Sequence, residues 1–319
     1  MNGIRAGKSG GAAADVIVLG GGVIGLTTAL VLAGRGHRVR VWSGKPAAAT
    51  TSAVAGALWW PYRIEPRDRV GDWSLKSLRW YEELAGRPRE TGVRLVDGVH
   101  RGERLAALGA WAGQLKGVVE AGEGLRCRLP LIDMPVHLDW LEGQVRSAGG
   151  AVERRTVASF DEAAAEASAV VNCTGLGARN LVPDPGMRPV RGQLVLVENP
   201  GIQEWFTEAD PASSETTYFF PQPGRLVLGG TALADDWSTV PDPRTAGEIV
   251  ARCARVRPEI AAARVIGHRV GLRPARDAGV RIEAEALPGG GRLVHNYGHG
   301  GAGVTVALGC AEAAARLVG

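Results

Sequence analysis

Lysine is nearly missing from this chain. Only Lys8, Lys45, Lys76 and Lys116 stand among 37 basic residues, set against 33 acidic ones for a net charge of +4. There is no block of like charge, and acids are interspersed throughout, so the clustered basic face of a nucleic-acid binder is absent. Cysteine is scarce too. Cys127, Cys173, Cys253 and Cys310 lie far apart with no C-x-x-C pair, which argues against a zinc site or a small disulfide scaffold and leaves four buried thiols as the expectation. No tyrosine occurs between Tyr81 and Tyr218. The apolar run from Val16 to Ala33 is interrupted by Gly20, Gly21, Gly22 and Gly25 and is followed by no A-x-A cleavage pattern. The chain ends in RLVG, which is no peroxisomal tripeptide. A cytoplasmic protein with neither membrane nor nucleic-acid partner is therefore expected. Residues 1–14, rich in Gly, Ala, Ser and basic side chains, read as a disordered leader.

What remains is ordinary for a globular protein: 319 residues, 45% apolar and 22% charged, enough for one large domain or two with a sizeable core. The stretch DVIVLGGGVIGLTTALVLAGRGHRVRVWSG reads as one strand–helix–strand unit. Asp15 to Leu19 is a strand apolar enough to be buried on both faces. Gly20 to Gly25 form the turn, Leu26 to Gly34 a helix, and Arg38 to Trp42 the second strand. Gly20-x-Gly22-x-x-Gly25 in this setting predicts dinucleotide binding. Glycine permits the tight turn, and the backbone N–H groups that open the helix at Val23 and Ile24 meet a pyrophosphate. The acidic residue that should end the second strand and hold a ribose is missing. That point reads Trp42-Ser43-Gly44-Lys45, where Ser43 offers a weaker contact and Lys45 a reach to phosphate. Further on, Thr50, Thr51 and Ser52 offer hydroxyls, and Ala55-Gly56-Ala57 is small enough for a flat ring to lie against the backbone.

Beyond this unit, helices are expected over 72–86, 137–150, 161–167, 243–256 and 305–318. Strands are expected over 151–157, 169–175, 192–199, 268–276 and 279–287, with a pair across 216–231 joined by a PQPG turn. Nucleotide-binding signals at the start, near residue 175 and at the end enclose a β-rich stretch from 181 to 267. One unit built from separated segments, with a second inserted, follows from that arrangement.

HNYGHGGAGVT (295–305) has no evident packing face and costs backbone entropy to order, so a ligand close to the main chain is expected there. His295 and His299 are four apart, like a zinc pair on a helix, but Asn-Tyr-Gly between them forms helix poorly and no third ligand is near, so no metal is expected. VIVLGGGVIGL, TTSAVAGALWWPY, VNCTG, YFFPQPGRLVLGGT, VGLRPAR and VHNYGHGGAGVT occur in that order, and through them residues 15–319 resemble the FAD-dependent D-amino-acid oxidases.

The resemblance implies an α/β fold: a Rossmann-type FAD-binding domain over 15–60, 138–180 and 268–319, with an inserted α+β substrate domain over 61–137 and 181–267 built on a large antiparallel sheet. It implies FAD held by Gly20, Gly22, Val23, Ile24, Gly25, Lys45, Thr50, Thr51, Ser52, Gly56, Ala57, Leu58, Val157, Cys173, Thr174, Gly175, Arg273, Gly300, Gly301, Gly303, Val304 and Thr305. Thr305 is expected as a hydroxyl donor to the flavin. Arg273 and Tyr218 would hold a substrate α-carboxylate and the Gly301 carbonyl its amine. No acid or base side chain is then required, and hydride passes from Cα to flavin N5, giving a 2-oxo acid, ammonia and hydrogen peroxide from a neutral D-amino acid and oxygen. Ser214 stands where animal members carry a second active-site tyrosine, so the cover over the substrate differs. Trp60 suits neutral or bulky apolar substrates, while D-aspartate oxidase and a glycine- or sarcosine-type amine oxidase remain alternatives. Oligomeric state stays open, a homodimer included.

Overall fold

The computed structural model describes residues 15–122, 124–209, 215–287 and 290–319. The expected leader at 1–14 and Ser214 lie outside the described residues. In chain order the strands are β1 (Asp15–Leu19), β2 (Arg38–Ser43), β3 (Val93–Arg101), β4 (Val119–Ala121), β5 (Gly124–Ile132), β6 (Ala151–Arg154), β7 (Ala169–Asn172) and β8 (Met187–Val197). Then come β9 (Trp205–Ala209), β10 (Glu215–Gln222), β11 (Arg225–Thr231), β12 (Leu233–Ala234), β13 (Val265–Arg276), β14 (Arg281–Ala286) and β15 (Arg292–Tyr297).

The first sheet runs β14-β15-β7-β1-β2-β6 and is parallel except for β14. Its central strands are apolar on both faces because helices cover both; Ile17, Val18, Val41, Val170 and Val171 are wholly buried. The first helix, Val23–Gly34, begins earlier than its apolar run suggests. Gly20 (φ 117°) turns the chain out of β1, and Gly25 packs onto that turn, since a Cβ on it would lie 1.8 Å from the Gly20 carbonyl oxygen. β1 lies between β2 and β7, so the chain reverses its direction of growth at this strand, and the crevice at its carboxyl end is where such sheets take ligands.

The stretch 295–297 corrects the expectation that it lacks a packing face. It is the end of β15, inside the first sheet, and His295, Asn296 and Tyr297 are buried. The residues are polar because the strand carries them to the junction of the two sheets.

The second sheet runs β12-β8-β11-β10-β9-β3-β5-β4, with β13 on the free side of β8. It is antiparallel except where β3 lies parallel to β9. Two segments sit apart from the expected boundaries. β13 pairs along β8 from Val265↔Val197 to Arg276↔Met187, so 268–276 runs in the second sheet, its alternation matched to β8 and not to the parallel core. The helix Arg67–Leu84, expected with the inserted unit, packs on the last helix, Gly303–Val318: a Cβ on Gly309 would lie 2.3 Å from the Trp73 Cα. Glycine there lets two helix backbones meet.

The sheets are joined at the end of β13. Ala275 bridges to His299, and the Gly300 N–H donates to the Pro274 carbonyl (2.9 Å). The Asp184 carboxylate accepts from Tyr297 Oη (2.8 Å) and Arg276 Nε (2.7 Å). Arg273 is thereby fixed beside the glycine turn at 298–303. All four cysteines are buried and unpaired, and among the described residues no helix is long and apolar enough to cross a membrane.

Candidate active site

A cavity of about 900 Å³ lies along this junction, within the range of small-molecule and cofactor sites. Lining it are Gly20, Gly22, Val23, Ile24, Lys45, Thr50, Thr51, Ser52, Gly56, Ala57, Leu58, Val157, Cys173, Thr174, Gly175, Tyr218, Arg273, Gly300, Gly301, Gly303, Val304 and Thr305. Gly25 is the exception among the expected residues. It stands behind the turn, where its bare Cα closes helix against strand.

One half of the cavity is built for an extended anion. The first helix opens at Gly22 with no side-chain cap, and the Val23 N–H donates to Ser52 Oγ (3.0 Å). A Cβ on Gly22 would stand 2.9 Å from that oxygen, so glycine lets the loop at 50–52 close over the turn without displacing the Ser52 hydroxyl. The expected hydroxyl donors are largely spent: Thr50 Oγ1 donates to the Ala47 carbonyl (2.6 Å), Thr51 Oγ1 to Leu272 (3.2 Å) and Ser43 Oγ to Lys45 (2.7 Å). These three shape the loop. Beside the end of β2, where the sequence lacks the ribose-binding acid, stands a cation from just after β6, Arg155, its guanidinium 3.6 Å from the Trp42 ring centroid and 2.6 Å from Glu166.

The last helix also opens uncapped, at Ala302, leaving the first-turn N–H groups of Gly303, Val304 and Thr305 without intrahelical acceptors. A Cβ on Gly300 would meet nothing closer than the Ala275 Cα at 4.0 Å, and one on Gly303 nothing closer than 3.6 Å; the space beside them is cavity. Thr305 is a correction. Its hydroxyl donates to the Trp60 carbonyl (2.9 Å) and accepts from the Trp60 N–H (3.3 Å), clamping the Trp59-Trp60 segment to the helix instead of pointing at a ligand. Gly56 likewise makes room for protein, since its Cβ would stand 2.7 Å from the Phe220 ring. A length of cavity facing two helix N-termini, a glycine turn and open space along the backbone fits FAD.

The other half is set by the second sheet. Gly229, Tyr218, Thr207 and His100 lie opposite one another on consecutive strands β11, β10, β9 and β3, forming one rung of side chains about 4.8 Å apart. Gly229 gives the Tyr218 ring its place, because a Cβ there would stand 1.9 Å from Tyr218 Cζ. Gly192 does the same for Arg273, 2.5 Å from Nη2. Arg273 Nη1 donates to the Thr231 carbonyl (2.9 Å), which leaves its other N–H groups toward Tyr218 and the cavity. Burial raises the Tyr218 phenol and the adjoining Arg273 opposes that shift, so the hydroxyl keeps its proton. At the far end of the rung, His100 pairs with Thr207 Oγ1 and lies against Trp60 with centroids 4.7 Å apart.

Burial holds His100 down to about 4 and His299 to about 3, and, against the opposing hydrogen bond to the Thr91 carbonyl, holds His137, within an aromatic cage of Trp80, Tyr81 and Trp140, to about 4. These rings are neutral when folded and titrate near 6.5 when unfolded. Their contribution to stability is whole above pH 6.5 and is lost as pH falls from there toward 4, because unfolding then takes up protons. Each ring gives a slope of up to about 1.4 kcal/mol per pH unit. The thermal midpoint should therefore drop steeply between pH 6.5 and 4; a midpoint flat across that window would contradict neutral burial.

Several cavity residues carry no sequence signal in isolation. His100 and Thr207 lie on strands not expected from the sequence, Arg155 follows β6, and Tyr62 closes the TTSAVAGALWWPY stretch with no role that its spacing reveals. The glycines at 192 and 229 were the available clue, each marking where a large side chain crosses a neighbouring strand.

Residues 15–317 match the family model for FAD dependent oxidoreductases. A D-amino-acid oxidase of Streptomyces coelicolor is 63% identical over 95% of this chain and 96% of its own, and one of Rubrobacter xylanophilus is 45% identical over 98% of both. In fold, the chain is similar to glycine oxidase from Geobacillus kaustophilus, with a TM-score of 0.76 at 21% identity over 96% of this chain and 94% of the other. Family match and relatives extend over both sheets and the whole cavity between them, and the chain accordingly belongs to the D-amino-acid oxidases, a family of FAD-dependent oxidoreductases.

Proposed function

We propose that this enzyme oxidatively deaminates neutral D-amino acids, with Arg273 and Tyr218 as the carboxylate anchor. The D configuration rests on what the relatives are named for. The observation that carries the anchor is the Arg273–Tyr218 pair, seated over Gly192 and Gly229 beside the 300–303 turn. A guanidinium offers two parallel N–H groups to a planar carboxylate, and a protonated phenol adds a third donor. The Gly301 carbonyl is the candidate acceptor for the substrate amine.

The FAD that Gly20, Gly22, Val23 and the last helix's N-terminus would hold supplies the acceptor for hydride and electrons and delivers them to oxygen. The chain's own residues fix position and exclude water. The perturbed groups around the cavity are poorly matched to proton transfer near pH 7: His100 and His299 are weak bases at about 4 and about 3, the Cys173 thiol is pushed up to about 12, and Tyr218 is raised. Catalysis by positioning accords with that set.

The far end of the rung favours uncharged side chains. A D-aspartate side chain needs a cation there, yet His100 is neutral and the neighbouring cavity residue Glu208 is an acid paired with Arg101 at 3.3 Å. Trp60 gives that end an aromatic wall. Initial rates on D-alanine, D-aspartate and glycine test the assignment. D-alanine should lead. Preference for D-aspartate would place an unrecognised cation in the pocket, and preference for glycine would favour the amine-oxidase reading.

A further inference from the structure

Tyr62 carries a buried hydroxyl that has no hydrogen-bond partner among the described residues. Leaving such a group unpaired is costly unless a ligand completes it. Its surroundings say which ligand. Tyr62 lines the same cavity as Arg273 and Tyr218. A Cβ on Gly301 would stand 3.5 Å from Tyr62 Cδ1 and 3.2 Å from Arg273 Cδ, so the two side chains flank one glycine. The Tyr62 phenol stands near enough to Tyr218 to help push that phenol up, behind the larger effect of burial.

The ring is also held in place. Its segment is pinned to β5 by the Trp59 N–H on the Pro130 carbonyl (2.9 Å) and the Ile132 N–H on the Ala57 carbonyl (3.0 Å). Thr305 clamps Trp60 from the other side, and the Arg63 guanidinium lies 5.2 Å from the Tyr62 ring centroid.

Resting on the carboxylate-anchor reading above, we infer that Tyr62 is a further substrate-binding residue, its hydroxyl donating to the carboxylate held by Arg273. The count of donors supports this. A carboxylate has about four lone-pair sites. A bidentate guanidinium fills two and Tyr218 a third, which leaves one for a phenol on the Gly301 side. A neutral phenol suits that place better than a second cation, because it adds a donor beside Arg273 without like-charge repulsion.

The test compares purified holoenzyme with Tyr62→Phe and Tyr62→Leu, reading flavin content, thermal midpoint, kcat and KM for D-alanine, and the Kd of benzoate followed through the visible flavin spectrum. Benzoate carries the carboxylate without the amine or Cα–H. The inference expects both variants to keep flavin and midpoint, with KM and the benzoate Kd each raised roughly ten- to hundred-fold and kcat little changed. Unchanged KM and benzoate Kd, a loss confined to kcat, or loss of flavin in both variants would overturn it. Wild type that neither turns over D-alanine nor binds benzoate would instead sink the carboxylate-anchor reading itself.

Discussion

Replacing Arg273 by alanine should lower kcat/KM for D-alanine by two to four orders of magnitude while leaving the protein folded and yellow. The estimate comes from the cost of leaving a charge unpaired in a buried site, about 3–5 kcal/mol, at about 1.4 kcal/mol per tenfold. The side chain has few structural duties to confound the result: its Nη1 bond to the Thr231 carbonyl and its contact with Gly192 are local. The β8–β13 ladder that carries it runs through the backbone. Lysine should rescue poorly, because an ammonium lacks the paired donors of guanidinium. Steady-state kinetics with D-alanine read both variants, and unchanged activity in the alanine variant would remove Arg273 from the site.

The second large effect is expected at a residue that touches no ligand. Gly25→Ala puts a Cβ 1.8 Å from the Gly20 carbonyl oxygen. Backbone must move, for neither atom is the end of a flexible side chain. Overpacking of this kind costs roughly 3 kcal/mol, which corresponds to a midpoint lower by roughly 5–10 °C. The displaced turn also withdraws the Gly22 and Val23 backbone, so flavin should be lost with the stability. Thermal unfolding and the ratio of flavin to protein absorbance read the two together. A yellow variant of normal midpoint would show that the helix does not need this close approach.

The strand–turn–helix start could be read from sequence because its determinants are local: an apolar run, glycines at fixed offsets, and a helix that stops at glycine. The two unforeseen strands that carry the far end of the rung were hidden for the opposite reason. β3 pairs with β9, more than 100 residues away. Its apolar alternation is broken by Gly98, which exists to admit Trp205, 2.1 Å from where a Cβ would be. Hydroxyl roles were illegible in the same way. Thr51 looks like a free donor until Leu272, 221 residues on, brings its carbonyl to it, and Thr305 until Trp60 meets it. Arg273 and Tyr218 emerged through resemblance, and their seating on Gly192 and Gly229 needed the sheet register.

The most direct measurement is the visible spectrum of the purified yellow protein under nitrogen, before and after D-alanine and, separately, L-alanine. Loss of the flavin band with D-alanine and its persistence with L-alanine is the expected result. A spectrum that D-alanine leaves unchanged at saturating concentration would contradict the account.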